Sequence, residues 1–142
     1  MPYLLEHGGP KATFTLITGA AGDFGMPPAT AITQGALFSM ANVAAKDNAN
    51  TNVRCNEVYL AFRVDYDSVW ETKEKTPGMD CVKTSDFAKS YEDILSRTDI
   101  KGCRQVLMKA DDLKAPKYER KLVDWHSRND GDKKELYQSI AA

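Results

Sequence analysis

The 142-residue chain carries 19 Lys and Arg against 20 Asp and Glu, and its net charge of -1 gives no electrostatic case for nucleic acid or an anionic membrane surface as a partner. With 42% hydrophobic and 27% charged residues it has the composition of a globular chain, long enough for one domain with a modest core. No apolar run nears the ~20 residues that span a bilayer, and Met1-Pro2-Tyr3-Leu4-Leu5 is too short and lacks the basic flank of a secretory leader, so the expected compartment is the cytoplasm.

The first clear element is Ala12 to Thr18, rich in β-branched and aromatic residues, and it stops at Gly19-Ala20-Ala21-Gly22, where glycine permits a sharp turn. A strand that runs into such a turn presents a site at the carboxyl edge of an α/β sheet. Pro27 and Pro28 suit the first turn of a helix, which the composition predicts from Ala29 to about Lys46. Its apolar residues fall in two stripes, Ile32, Ala36, Met40, Val43 and Leu37, Phe38, Ala41, Ala45, as in a helix covered on two sides.

Asn52 to Asp65 reads as the next strand. Val58, Leu60, Phe62 and Val64 alternate on one phase, whereas Val53 and Cys55 alternate on the other, which predicts a bulge or bend near Asn56. Asp67 to Cys81 reads as a surface loop. A second helix is predicted from Ser85 to about Arg97, with Phe87, Tyr91, Ile94 and Leu95 on one face and Thr84 or Ser85 as its cap. Cys103 to Met108 gives a third strand. In the charged remainder from Lys114 a helix is expected around Tyr118 to Trp125 and an exposed turn from His126 to Lys134.

Alternating strands and helices predict an α/β fold: a small three-layer, partial Rossmann-like unit of about three parallel strands with flanking helices. The expected division is a domain over residues 1–113 and a charged extension over 114–142. Cys55, Cys81 and Cys103 are odd in number and widely spaced, and they lie far from His7 and His126, so reduced thiols are expected and no metal site.

Over roughly residues 1 to 110 the chain resembles the later part of the short-chain dehydrogenase/reductase family. Thr15-Leu16-Ile17-Thr18-Gly19 resembles the strand that ends in the family's catalytic serine, and Thr33-Gln34-Gly35-Ala36-Leu37 resembles the Ser-Lys-Ala-Ala-Leu run of its catalytic helix. Asn52-Val53-Arg54-Cys55-Asn56-Glu57-Val58 is similar to the strand reading Ile-Arg-Val-Asn-x-Val. The resemblance implies an NAD(P) oxidoreductase, but the family's tyrosine falls on Thr30 and its lysine on Gln34. A threonine is a far weaker acid than tyrosine, and a neutral amide supplies no charge. Nothing like the Gly-rich nucleotide turn precedes Thr13, so no cofactor is expected unless a partner supplies that half.

The resemblance places a site at the carboxyl ends of the strands, with Thr18, Asp23, Thr30, Gln34 and Tyr59 near one another and Asp65 and Tyr66 further along. Asp23 is the ionisable side chain of the Gly19–Pro28 turn, expected in an apolar cleft beside Phe24 and Met26 and suited there to serve as a base. Thr18 or Tyr59 would hold an oxygen, and Thr30, Gln34, Phe24 and Met26 would line the site. The expected ligand is a small organic molecule, and the expected chemistry is non-redox isomerisation, cyclisation or dehydration. The rivals are an NAD(P)-dependent oxidoreductase whose nucleotide half is supplied by another subunit or lost from the gene model, and a non-catalytic interaction protein that pairs with a full-length relative. The strand at Thr13 and the two-sided helix both lack a neighbour, which predicts a homodimer or a hetero-oligomer with a full-length relative.

Overall fold

A computed structural model describes residues 1–72 and 80–121. In chain order the elements are α1 (Pro2–His7), β1 (Thr13–Gly19), α2 (Ala21–Phe24), α3 (Pro28–Asp47), β2 (Arg54–Leu60), β3 (Arg63–Asp65), α4 (Asp67–Thr72), β4 (Cys81–Lys83), α5 (Thr84–Ser96), β5 (Cys103–Leu107) and β6 (Lys117–Arg120). Strands β1, β2 and β5 are parallel, as the alternation of strands and helices predicts, and β6 adds an antiparallel fourth strand in the order β1-β2-β5-β6. The fold is α/β with a mostly parallel sheet.

Strand β2 is central, and every residue from Arg54 to Tyr59 is buried. Val53 and Cys55 pack with Ala45 of α3, whereas Val58 joins Phe62, Phe87, Ile94 and Leu107 in the core on the α5 side. This corrects the bulge expected near Asn56. The pairing of β1 with β2 runs unbroken from Thr13↔Arg54 to Gly19↔Leu60, and the switch of phase records burial on both faces of a parallel strand.

The two polar residues that open β2 anchor the α5 layer. Arg54, 4% exposed, donates through Nη1 to the carbonyls of Ile94 (2.9 Å), Arg97 (2.7 Å) and Ile100 (3.2 Å), meeting the free carbonyls at the end of α5. Asn56 donates to the Ile100 carbonyl at 3.2 Å and accepts from the Cys103 amide at 3.2 Å, fixing the return into β5.

Three further expectations are corrected. The stretch after Asp65 is not all loop: α4 opens at Asp67, and Cys81–Lys83 pairs in parallel with Arg63–Asp65 as a small second sheet. Neither Thr84 nor Ser85 caps α5; instead the Asp67 carboxylate accepts from the Ser85 amide at 3.1 Å, and the Ser85 hydroxyl first and that amide second hold the carboxyl below its usual range. Tyr118 lies in a strand rather than a helix, because Lys117–Arg120 pairs with Cys103–Val106 across the open edge of β5. The sheet therefore continues past residue 113. Residues 122–125 of the expected helix and the expected turn at 126–134 lie outside the described residues.

Candidate functional site at the carboxyl edge of the sheet

Strand β1 ends at Gly19, and α2 turns the chain back over the α3 face of the sheet, closed by Gly25 in the left-handed region (φ 71°), where glycine is unstrained. Gly22 seats α2 on α3: a Cβ there would lie 2.5 Å from the Phe38 ring and 3.1 Å from Gln34 Cβ. The Gly19 amide donates to Gln34 Oε1 at 2.7 Å. Together these contacts carry Asp23 to the top of β2, where its carboxylate lies near enough to the Tyr59 phenol to disfavour its ionisation.

Tyr59 is Thr18's register partner, is 5% exposed, and packs 5.8 Å from the Phe38 ring. Burial pushes its phenol up to about 12, and the nearby Asp23 carboxylate acts in the same direction; Arg104 opposes them. At neutral pH Tyr59 is a firmly protonated hydroxyl, suited to holding an oxygen rather than to taking a proton.

Below Tyr59 lies a cluster built on Glu57, a residue the sequence reading did not select. Glu57 is 1% exposed. It accepts from Arg104 Nε and Nη2 at 3.0 Å each, from Lys121 Nζ at 2.5 Å and from Thr18 Oγ1 at 2.6 Å. Burial alone would raise its pKa, but the hydrogen bonds from Arg104, Lys121 and Thr18 outweigh it and hold the carboxyl below its ordinary value. The Arg104 guanidinium carbon stands 4.9 Å from the ring centres of both Phe38 and Tyr59. One signal in the sequence pointed here: a glutamate inside a strand whose neighbours on both phases are core residues.

The expected site residues therefore divide. Asp23 and Tyr59 meet, and Gln34 stands beside Gly19. Thr18 is 1% exposed and donates its hydroxyl to Glu57, so it belongs to the interior. Asp23 is exposed, with Phe24 63% and Met26 73% exposed, so the apolar cleft expected around the carboxylate is not formed by these residues. Thr30 is exposed on the first turn of α3, its carbonyl accepting from the Thr33 hydroxyl at 2.9 Å. Asp65 lies on β3, bonded by Arg63 Nε at 2.9 Å, and Tyr66 is 75% exposed.

A curated relative, the short-chain dehydrogenase/reductase iacG of Pestalotiopsis fici, is 45% identical to this chain over 119 residues, a stretch that takes in 84% of the chain. The chain belongs to the short-chain dehydrogenase/reductase family. It spans about half the length of that relative, 47% of it. No protein-family model matches the chain, and no solved structure matches it significantly.

Kinship with the dehydrogenases raises the question of a nicotinamide cofactor, and the donor set answers it locally. At the positions where the sequence resemblance would put that family's lysine and tyrosine stand Gln34, which has no charge and whose Oε1 is taken by the Gly19 amide, and Thr30. These residues do not fit the nicotinamide ribose as the family holds it. Among the described residues no group of three or more His, Cys, Asp and Glu side chains comes together to hold a metal.

Proposed function

We propose that this member of the family binds a small organic molecule at the carboxyl edge of its sheet and, where it transforms that molecule, moves a proton rather than a hydride. Asp23 is the base, and Tyr59 is the hydroxyl that holds the ligand's oxygen; isomerisation, cyclisation and dehydration fall within that chemistry. The nearness of the Asp23 carboxylate to the Tyr59 phenol carries the reading, since it sets an exposed carboxylate beside a buried, protonated hydroxyl. When a ligand oxygen accepts the phenol's hydrogen bond, the exposed Asp23 carboxylate beside it accepts a proton from the ligand. Thr18 has no part in this reading, because its hydroxyl is spent on Glu57. The thiols of Cys55, Cys81 and Cys103 suit a reducing compartment such as the cytoplasm.

Two measurements test it. Titration with NADH and NADPH, followed by nicotinamide fluorescence, should give no saturable binding, and micromolar binding by the chain alone would overturn the non-redox reading. A thermal-shift panel of small cyclic ketones and enols should yield ligands that stabilise the protein and lose their effect in Asp23→Asn and Tyr59→Phe. Hits indifferent to both substitutions would place the ligand elsewhere.

A second reading rests on the relative's greater length: this chain is the substrate-side portion of an NAD(P)-dependent oxidoreductase whose nucleotide half lies on another polypeptide. The exposed apolar residues Ile32, Met40 and Val43 on α3, and Ile17 on the edge strand β1, support association, as a homodimer or with a full-length relative, with or without catalysis.

A further inference from the structure

The site contains more charge than a proton-transfer pair needs, and the surplus lies under it. A carboxylate withdrawn from water inside a parallel sheet is costly unless its charge is matched, and an apolar residue of similar size is often as good or better for stability. Glu57 nevertheless gathers two cations, and it holds them unequally. Lys121 makes a single contact, and its ammonium stands 6.0 Å from the Phe38 ring. Arg104 is gripped through two nitrogens, and a planar fork bound twice to one carboxylate has little freedom to turn. Glu57 and Arg104 are direct register partners on β2 and β5, and Tyr59 lies two residues along β2 on the same face. The pair thus delivers the guanidinium to the Tyr59 ring.

We infer that Glu57 and Arg104 are positioning residues for Tyr59: the bidentate pair fixes a cation over the phenol ring and so sets the orientation and acidity of the hydroxyl that Asp23 meets. The inference rests on the reading of Asp23 and Tyr59 as the reacting pair. Asp23 from α2, Phe38 from α3, Glu57 on Tyr59's own strand and Arg104 from β5 all face that ring, and the Lys121 ammonium stands 6.0 Å from the Phe38 ring. Asp23 and Glu57 raise the phenol's pKa and Arg104 lowers it.

The test is the ionisation of Tyr59 followed by NMR in protein labelled with ¹³C-tyrosine, the Tyr59 signal being assigned by its loss in Tyr59→Phe. Asp23→Asn serves as the background, because it removes one carboxylate that holds the phenol up and brings the midpoint below about 12. In that background Arg104→Met should raise the midpoint by about one pH unit. Glu57→Gln separates the two roles by sign. As a bystander charge, its loss would lower the midpoint; as the anchor of Arg104, its loss frees the guanidinium and the midpoint rises. Lys121→Met should leave the midpoint unchanged. If Glu57→Gln does not fold, Arg104→Lys, which keeps the charge and loses the fork, should give a smaller rise than Arg104→Met. A fall with Glu57→Gln, no change with Arg104→Met, or an equal rise with Lys121→Met would each overturn the inference. The titration needs no ligand, so an empty ligand panel would end the proton-transfer reading and leave this result standing on its own.

Discussion

Glu57 and Arg104 face each other across adjacent parallel strands and close a two-bond fork, Nε and Nη2 each 3.0 Å from a carboxylate oxygen. The exposures are very unequal: the Glu57 side chain is 1% exposed and that of Arg104 18%. The carboxylate is therefore the member that cannot be left unpaired, and the stability of this part of the sheet depends on its ionisation.

The sign follows from the direction of the shift. Glu57 is more acidic folded than unfolded, so its contribution to stability is present above the unfolded value of about 4.3 and is lost as pH falls through the lower, folded value. Urea unfolding followed by circular dichroism at pH 7, 5, 4 and 3 should show wild type losing stability steeply below about pH 4. Glu57→Gln should be weaker at pH 7, on the order of 3 kcal/mol, because Arg104 and Lys121 lose their common partner, and flatter in acid. Equal acid slopes for the two proteins would show that Glu57 is not the group responsible.

Gly22 is required for space rather than for backbone freedom. The Cβ of an alanine would meet the Phe38 ring at 2.5 Å, and Phe38 has little room to yield because Tyr59 and Arg104 lie against it. Gly22→Ala should cost about 1–3 kcal/mol by overpacking. It should also displace α2, so the Asp23 signals in an NMR spectrum should move with the fall in Tm. An alanine variant as stable as wild type would show that α2 sits off α3.

The exposed stripe on α3 makes a prediction about assembly. Ile32 is 75% exposed, Val43 57% and Met40 46%, at spacings that put them along one side of the helix. Sedimentation velocity at micromolar concentration should find a dimer or larger species, and Val43→Asp with Met40→Lys should convert it to monomer without loss of helix signal. A wild-type monomer over that range would remove the case for self-association and leave association with a longer relative to be tested by mixing.

The elements of this fold were written locally. The β-branched run before Gly19, the prolines that open α3, and the 3.6-residue period of Phe87, Tyr91 and Ile94 each report a backbone preference or one buried face, and neighbours in sequence suffice to read them. What required the tertiary structure is whatever depends on residues distant in the chain. Lys117–Arg120 has no strand-like composition, and it is a strand because β5 offers it an open edge. The two phases of β2 look like a bulge until both faces are seen to be covered. Thr18 carries the hydroxyl that its position demands, yet the proton is directed into the core by a glutamate 39 residues away. Whether a polar side chain serves a ligand or the interior is decided by which partner reaches it first, and that is a property of packing, not of spacing along the chain.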